Sequence, residues 1–258
     1  MVKGLTLFRD HFVDHHGKYV LIGGTACDIL MEEAGLRFRA TKDLDIVLCL
    51  ETLDSSFTNA FWQFIRNGGY RTAQTDKGDR KLHRFMGPTT PGYPAMLELF
   101  SRRPDILGTP SPGCHLTPVP PCSSEDSSLS AILTDDDYYA FLHSGVTVIN
   151  GISVAGADRM IPMKMRAWLD LKERSSAHSI DSRSIRKHRN DVFRLFSIVP
   201  PESRVETPAR ILKDIDAFLH LMQKETIDLK RLGLGNTKLE EVLRVLHNKY
   251  LPIPSPEE

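Results

Sequence analysis

The segment Asp43-Leu44-Asp45-Ile46-Val47-Leu48 constrains this chain more than any other. It alternates acid and apolar residues and then becomes wholly apolar, which suits a strand that emerges from a core at its head. Side chains alternate along a strand, so Asp43 and Asp45 share a face, about 6.6 Å apart along it. Carboxylates so placed repel each other unless a cation lies between them. Oxygen-only ligation favours Mg²⁺ (or Mn²⁺), completed by substrate phosphates.

Two further features fit beside this strand. Tyr19 to Ile22 is a short apolar run ending at Gly23-Gly24, and a helix from Ala26 to Ala34 follows, with Thr25 near its start. Glycines let a backbone approach a ligand closely, and a helix N-terminus offers unpaired N–H groups to a phosphate. Glu98 stands alone in Met96-Leu97-Glu98-Leu99-Phe100, a strand with no polar face for it to share. It is a candidate third carboxylate, for a second metal ion or for deprotonating an attacking hydroxyl.

The rest of the chain divides in two. Leu5, Phe8, Phe12 and Val13 have helical spacing, and Phe57 to Ile65 marks a helix that Gly68-Gly69 ends. Arg80 to Met86 and Ala95 to Phe100 read as strands, Tyr138 to His143 as a short helix, and Asn150-Gly151 as a hairpin turn. Residues 102–128 are rich in Pro, Ser and Gly without periodicity, which predicts a long surface loop or insertion. Helices are expected at Ile161–Arg174, Ser182–Ser197, Pro208–Gln223 and Lys238–Tyr250, Thr207-Pro208 being a start signal for the third. The expected fold is α/β (α+β): a mixed sheet flanked by helices over residues 1–155, then a helical domain over 156–258.

Charge is informative only locally. The 258 residues hold 33 Lys+Arg and 33 Asp+Glu, so the total carries no argument for a polyanionic partner. Between Arg159 and Arg194, however, ten bases face four acids, a net of +6, the kind of stretch that meets phosphates or forms a solvated helix face. No apolar run nears the roughly 18 residues of a membrane span. Arg9 and Asp10 stand where a signal peptide needs its apolar stretch, and the four cysteines form no CxxC pair, so a reduced, cytoplasmic protein is expected. Cys114, His115 and Cys122 lack a second ligand pair at zinc spacing; Cys27, Cys49, Trp62 and Trp168 read as core, and His188 as a surface residue.

Val20-Leu21-Ile22-Gly23-Gly24-Thr25, then Arg39-Ala40-Thr41-Lys42-Asp43-Leu44-Asp45-Ile46, resembles the DNA polymerase beta-like nucleotidyltransferase superfamily, whose marks are hG[GS], a helix, Dh[DE]h and a later h[DE]h. Within it the chain looks most like the AbiEii-type nucleotidyltransferases, toxins of bacterial toxin–antitoxin and abortive-infection systems. The resemblance implies a nucleotidyltransferase fold, with Asp43, Asp45 and Glu98 as catalytic and metal-binding residues. It implies that Gly23, Gly24, Thr25, Arg39 and Thr41 bind the nucleotide. It extends loosely to Lys164, in Ile161-Pro162-Met163-Lys164, as a neutraliser of the triphosphate. It also extends to Asp191, in Arg186-Lys187-His188-Arg189-Asn190-Asp191, as a nucleotide contact or a brace of the basic helix.

The expected activity is Mg²⁺-dependent transfer of a nucleoside monophosphate from an NTP to an acceptor hydroxyl, releasing pyrophosphate. The resemblance and the +6 stretch favour an RNA acceptor, such as a tRNA 3′ end, and a cognate antitoxin as a possible partner. Antibiotic nucleotidyltransferases of the same superfamily also show Gly-Gly and then Arg-x-x-x-Asp-x-Asp, so a small-molecule acceptor is the second enzyme reading. A non-catalytic nucleotide-binding homologue is the third.

Overall fold

The computed structural model describes residues 2–49, 51–74, 83–100, 116–118, 132–133, 135–175 and 181–251. Among these, eight strands form one mixed sheet: β1 (Tyr19–Ile22), β2 (Asp43–Leu48), β3 (Arg71–Gln74), β4 (His83–Met86), β5 (Met96–Phe100), β6 (Leu116–Pro118), β7 (Val146–Ile149) and β8 (Ile152–Ala155). Their order across the sheet is β6-β3-β4-β5-β2-β1-β8-β7. At its centre β2 runs antiparallel to β1 and parallel to β5, and β4 runs antiparallel to β5.

Register sorts the side chains by face. Tyr19, Leu21, Leu44, Ile46, Leu48, Leu97, Leu99 and Phe85 belong to one apolar core. That core also takes Phe8 of α1 (Leu5–His11), Ala26 and Ile29 of α2 (Gly23–Glu33), and Phe57, Phe61 and Phe64 of α3 (Ser55–Gly68). Phe8 meets Phe64, and Phe61 meets Phe85, edge-on, an arrangement their quadrupoles favour. Asp54 caps α3 by accepting a hydrogen bond from the Phe57 amide at 2.9 Å, and Gly69 ends it with a left-handed backbone.

Two compact units emerge, Met1–Thr134 with Val146–Gly156, and Asp135–Gly145 with Ala157–Glu258. The helix α4 (Asp136–His143) therefore groups with the C-terminal helices, whereas a single boundary at residue 155 places it with the sheet. The Tyr138 hydroxyl of α4 donates to Asp214 Oδ2 at 3.0 Å, in α7 (Ala209–Met222), and both groups are buried. The mixed sheet with its helices, and the further helices after it, are the architecture expected from the sequence.

Several local expectations need correction. Strand β3 carries no apolar alternation and was not expected; β6 lies inside the stretch read as an unstructured insertion, where it pairs with β3 in parallel. The remainder of that stretch, including Cys114, His115 and Cys122, lies outside the described residues. Thr207 does not cap α7: its hydroxyl donates to the Val205 carbonyl, and Pro208 holds the cap position. Helix α5 (Ala157–Ser175) begins a turn earlier than expected and runs through Pro162. Proline has no N–H for the carbonyl four residues back. That carbonyl, of Asp158, instead accepts a hydrogen bond from the Tyr250 hydroxyl at 2.8 Å. Tyr250→Phe should therefore lower stability by about 1–2 kcal/mol in urea unfolding, because a partly buried carbonyl that Pro162 cannot serve loses its partner. Stability equal to wild type would show that water replaces the hydroxyl.

Candidate active site

The two glycines after β1 are not equivalent. Gly23 has φ +69°, a left-handed backbone that side chains rarely adopt, and a Cβ there would overlap the Asp45 carboxylate. Gly24 has no positive φ; its Cβ would lie 2.6 Å from Thr41 Oγ1 and 3.4 Å from Arg39 Nη2. The turn is thus a seam on which Asp45, Thr41 and Arg39 converge. It also opens α2, which begins at Gly23 rather than at Ala26, and whose cap residue, Ile22, offers its amides no side-chain acceptor.

Thr25 serves the frame of this seam. Its buried hydroxyl donates to the Asp43 carbonyl at 2.6 Å, tying the first turn of α2 to the first residue of β2. By that bond it holds the head of β2 in place. Asp28, one turn further along α2, has its carboxyl raised by burial, while Arg39 acts against that shift. Sequence reading missed Asp28 because nothing in its spacing links it to the loop that carries Arg39.

Across the sheet, register builds a polar row on the face opposite the aromatic core. Ile22 pairs with Asp45, Asp45 with Glu98, and Glu98 with Arg84. Neighbouring strands lie about 4.8 Å apart, so these side chains stand next to one another. Asp45 is 9% exposed and Glu98 4%, whereas Asp43, at the strand head, is only partly covered. Arg84 Nη2 lies 2.5 Å from Glu98 Oε1. Sequence reading missed Arg84, whose only signal was a base in a strand near an acid that had no polar face.

This arrangement divides the expected carboxylate triad. Asp43 and Asp45 are hard oxygen donors on one strand face beside the glycine seam, and they fit Mg²⁺ by their chemistry and position. Glu98 is already engaged by Arg84. Among the described residues no group of three or more His, Cys, Asp or Glu side chains is arranged to hold a metal ion. The fit therefore belongs to the aspartate pair, with Glu98 beside it as the partner of an arginine.

Lys164 and Asp191 belong to the second unit, on α5 and α6 (Ser182–Phe196). The structure brings them together: Lys164 Nζ lies 3.7 Å from Asp191 Oδ2, and Arg194 Nη1 donates to Asp191 Oδ1 at 3.1 Å. Asp191 is fully buried and Lys164 nearly so. Asp191 thus braces two cations, the second of the two roles expected for it. Asp191→Asn should lower stability by about 2–3 kcal/mol, because buried cations lose their counter-charge while shape is kept. An unchanged denaturation midpoint would contradict this role.

Seven of the ten bases in the +6 stretch are paired in space. Arg159 pairs with Asp158, Arg166 with Asp214, Lys172 and Arg189 with Glu225, Arg174 with Asp170, and Lys164 and Arg194 with Asp191. Among the described residues Arg183 and Arg186 make no ion pair, and both are exposed on one face of α6. His188 is buried, not a surface residue, and Trp62 and Trp168 are core residues, as expected.

No protein-family model and no curated protein matches the chain. Among solved structures, an antigenic nucleotidyltransferase-like protein from Paracoccidioides brasiliensis matches with a TM-score of 0.43 and 14% identity, covering 94% of this chain and 97% of that one. No helix among the described residues is long and apolar enough to cross a membrane.

Proposed function

We propose that this protein transfers a nucleotidyl group from a nucleoside triphosphate to an acceptor hydroxyl, at the seam where β1 enters α2 and β2 begins. One observation carries the reading: the carboxylate of Asp45 occupies the space that a side chain on Gly23 would fill. Oxygen donors and the amides of a helix N-terminus are thereby placed side by side. A paired acid alone is often a strand end and a glycine pair alone a turn; packed on each other they form a place for a phosphate and its cation.

Each residue then has a task. The first amides of α2 receive phosphate oxygens, and Arg39 adds positive charge beside Gly24. Thr41 offers a hydroxyl at the same point, and Thr25 fixes the head of β2. Mg²⁺ held by Asp43 and Asp45 would neutralise phosphate charge and help align the attacking and leaving oxygens. The acceptor oxygen bonds to the α-phosphorus as the bond to the bridging oxygen breaks. Pyrophosphate departs and the hydroxyl proton is lost to solvent. Incubation of the purified chain with each α-labelled NTP, Mg²⁺ and total RNA tests the reading through labelled product and released pyrophosphate. Absence of both with every NTP, and no effect of Mg²⁺ or Mn²⁺ on nucleotide binding, would favour a non-catalytic nucleotide-binding protein instead.

An RNA acceptor is the finer form of the proposal, and it now rests on Arg183 and Arg186 rather than on ten bases. Two phosphate contacts on a single strand predict a log–log salt slope of about −1.4. Arg183→Glu/Arg186→Glu should abolish that dependence while leaving nucleotide affinity unchanged. A salt-independent acceptor affinity in wild type would favour a small-molecule acceptor. The AbiEii resemblance adds growth arrest on expression, which Asp43→Asn should relieve.

A further inference from the structure

We infer that Arg84 is a built-in cation of the carboxylate row, so that the chain binds one divalent ion, at Asp43 and Asp45, where three carboxylates would take two. The inference rests on the nucleotidyl-transfer reading and specifies the charge balance of the same site.

Position comes first. Arg84 is the register partner of Glu98 on β4, as Asp45 is on β2, so Glu98 stands between an acid and a base on one face of the sheet. The ion pair is close, 2.5 Å, and its side chains are only 13% and 5% exposed. A carboxylate so covered needs a counter-charge, because desolvation otherwise outweighs ionisation. A guanidinium stays charged under all ordinary conditions, so the compensation is permanent and does not depend on metal supply.

Charge then separates the carboxylates. Glu98 has its counter-charge in Arg84, whereas Asp43 and Asp45 share β2 beside the glycine seam. A second ion on Glu98 would share a carboxylate whose Oε1 already faces the guanidinium, bringing two cations against one covered side chain. Glu98 accordingly acts as a positioning residue for Arg84, neither as a metal ligand nor as the base for the acceptor hydroxyl. The pair fills the place that a second metal ion would take.

Mn²⁺ binding to the full chain, followed by the electron paramagnetic resonance signal of the free ion, tests this without reference to turnover. Wild type should bind one Mn²⁺, and Asp43→Asn should weaken it by about tenfold or more. Glu98→Gln should keep one site at wild-type affinity. Arg84→Met, which releases Glu98, should bind a second ion; if it is folded by circular dichroism and still binds one, the inference fails. Should that variant not fold, Arg84→Met/Glu98→Gln decides: a neutral pair of similar bulk should fold and bind one ion, and loss of that ion would overturn the inference. Two ions on wild type, or loss of the site in Glu98→Gln, would refute the built-in cation and leave nucleotidyl transfer standing. No bound Mn²⁺ on wild type would remove the metal reading beneath both.

Discussion

Asp43→Asn and Asp45→Asn should each reduce nucleotidyl transfer by about a thousandfold or more, since losing about 4 kcal/mol of metal-assisted charge stabilisation corresponds to that factor. Asparagine keeps the shape of aspartate but carries no charge, and it offers one oxygen where aspartate offers two. The folds should survive. Asp45 stands beside Glu98 in register and is nearly covered, and asparagine keeps its bulk there while removing one of two adjacent like charges. Thermal midpoints without metal should equal or slightly exceed that of wild type. Added Mg²⁺ should raise the wild-type midpoint and leave those of the variants unmoved, by linkage. Single-turnover assays with labelled NTP and thermal melts with and without Mg²⁺ give the comparison. Wild-type turnover in either variant would remove the aspartate pair from the chemistry.

What could be read from the sequence, and what could not, follows from the range of the interactions involved. Strand β2 was legible because acid and apolar residues alternate within six positions, and the hairpin turn because Asn150 and Gly151 both take positive φ. Strand β3 has only four residues and β6 only three. Their pairing with distant strands, not a pattern of their own, holds them in the sheet. Glu98 was conspicuous as a lone acid, yet its partner became visible only once β4 was known to run antiparallel beside β5.

The basic stretch failed for the same reason. Counting from Arg159 to Arg194 stops short of Asp214 and Glu225, the acids that neutralise Arg166, Lys172 and Arg189. A window along the chain measures charge per length, whereas a phosphate meets charge per area. Lys164 was singled out by resemblance alone. Its burial against Asp191 depends on how two helices pack, which neither helix's pattern states.

Gly23→Val should be the most damaging single change in the first unit, destabilising it by more than about 4 kcal/mol or preventing folding. Two costs add. The backbone at φ +69° lies in the left-handed region, which costs a residue with a Cβ roughly 1–2 kcal/mol, and a β-branched residue more. The new Cβ would also overlap the Asp45 carboxylate, which cannot swing away without leaving its row. Gly24→Ala provides the contrast. Its backbone carries no positive φ, its Cβ presses chiefly on the Thr41 side chain at 2.6 Å, and alanine in a helix gains roughly 1 kcal/mol over glycine. Stability should stay within about 1 kcal/mol of wild type, while displacement of Thr41 and Arg39 weakens triphosphate binding. The two costs at Gly23 separate in a cycle with Asp45→Ala, using Gly23→Ala as the milder change. Removing the carboxylate abolishes the overlap but not the backbone strain. Gly23→Ala should therefore cost at least about 1 kcal/mol less in the Asp45→Ala background, a coupling measurable by urea unfolding. Equal costs in both backgrounds would mean that φ alone demands the glycine. Asp45 would then not be seated on the turn, and the juxtaposition that carries the proposed function would be gone.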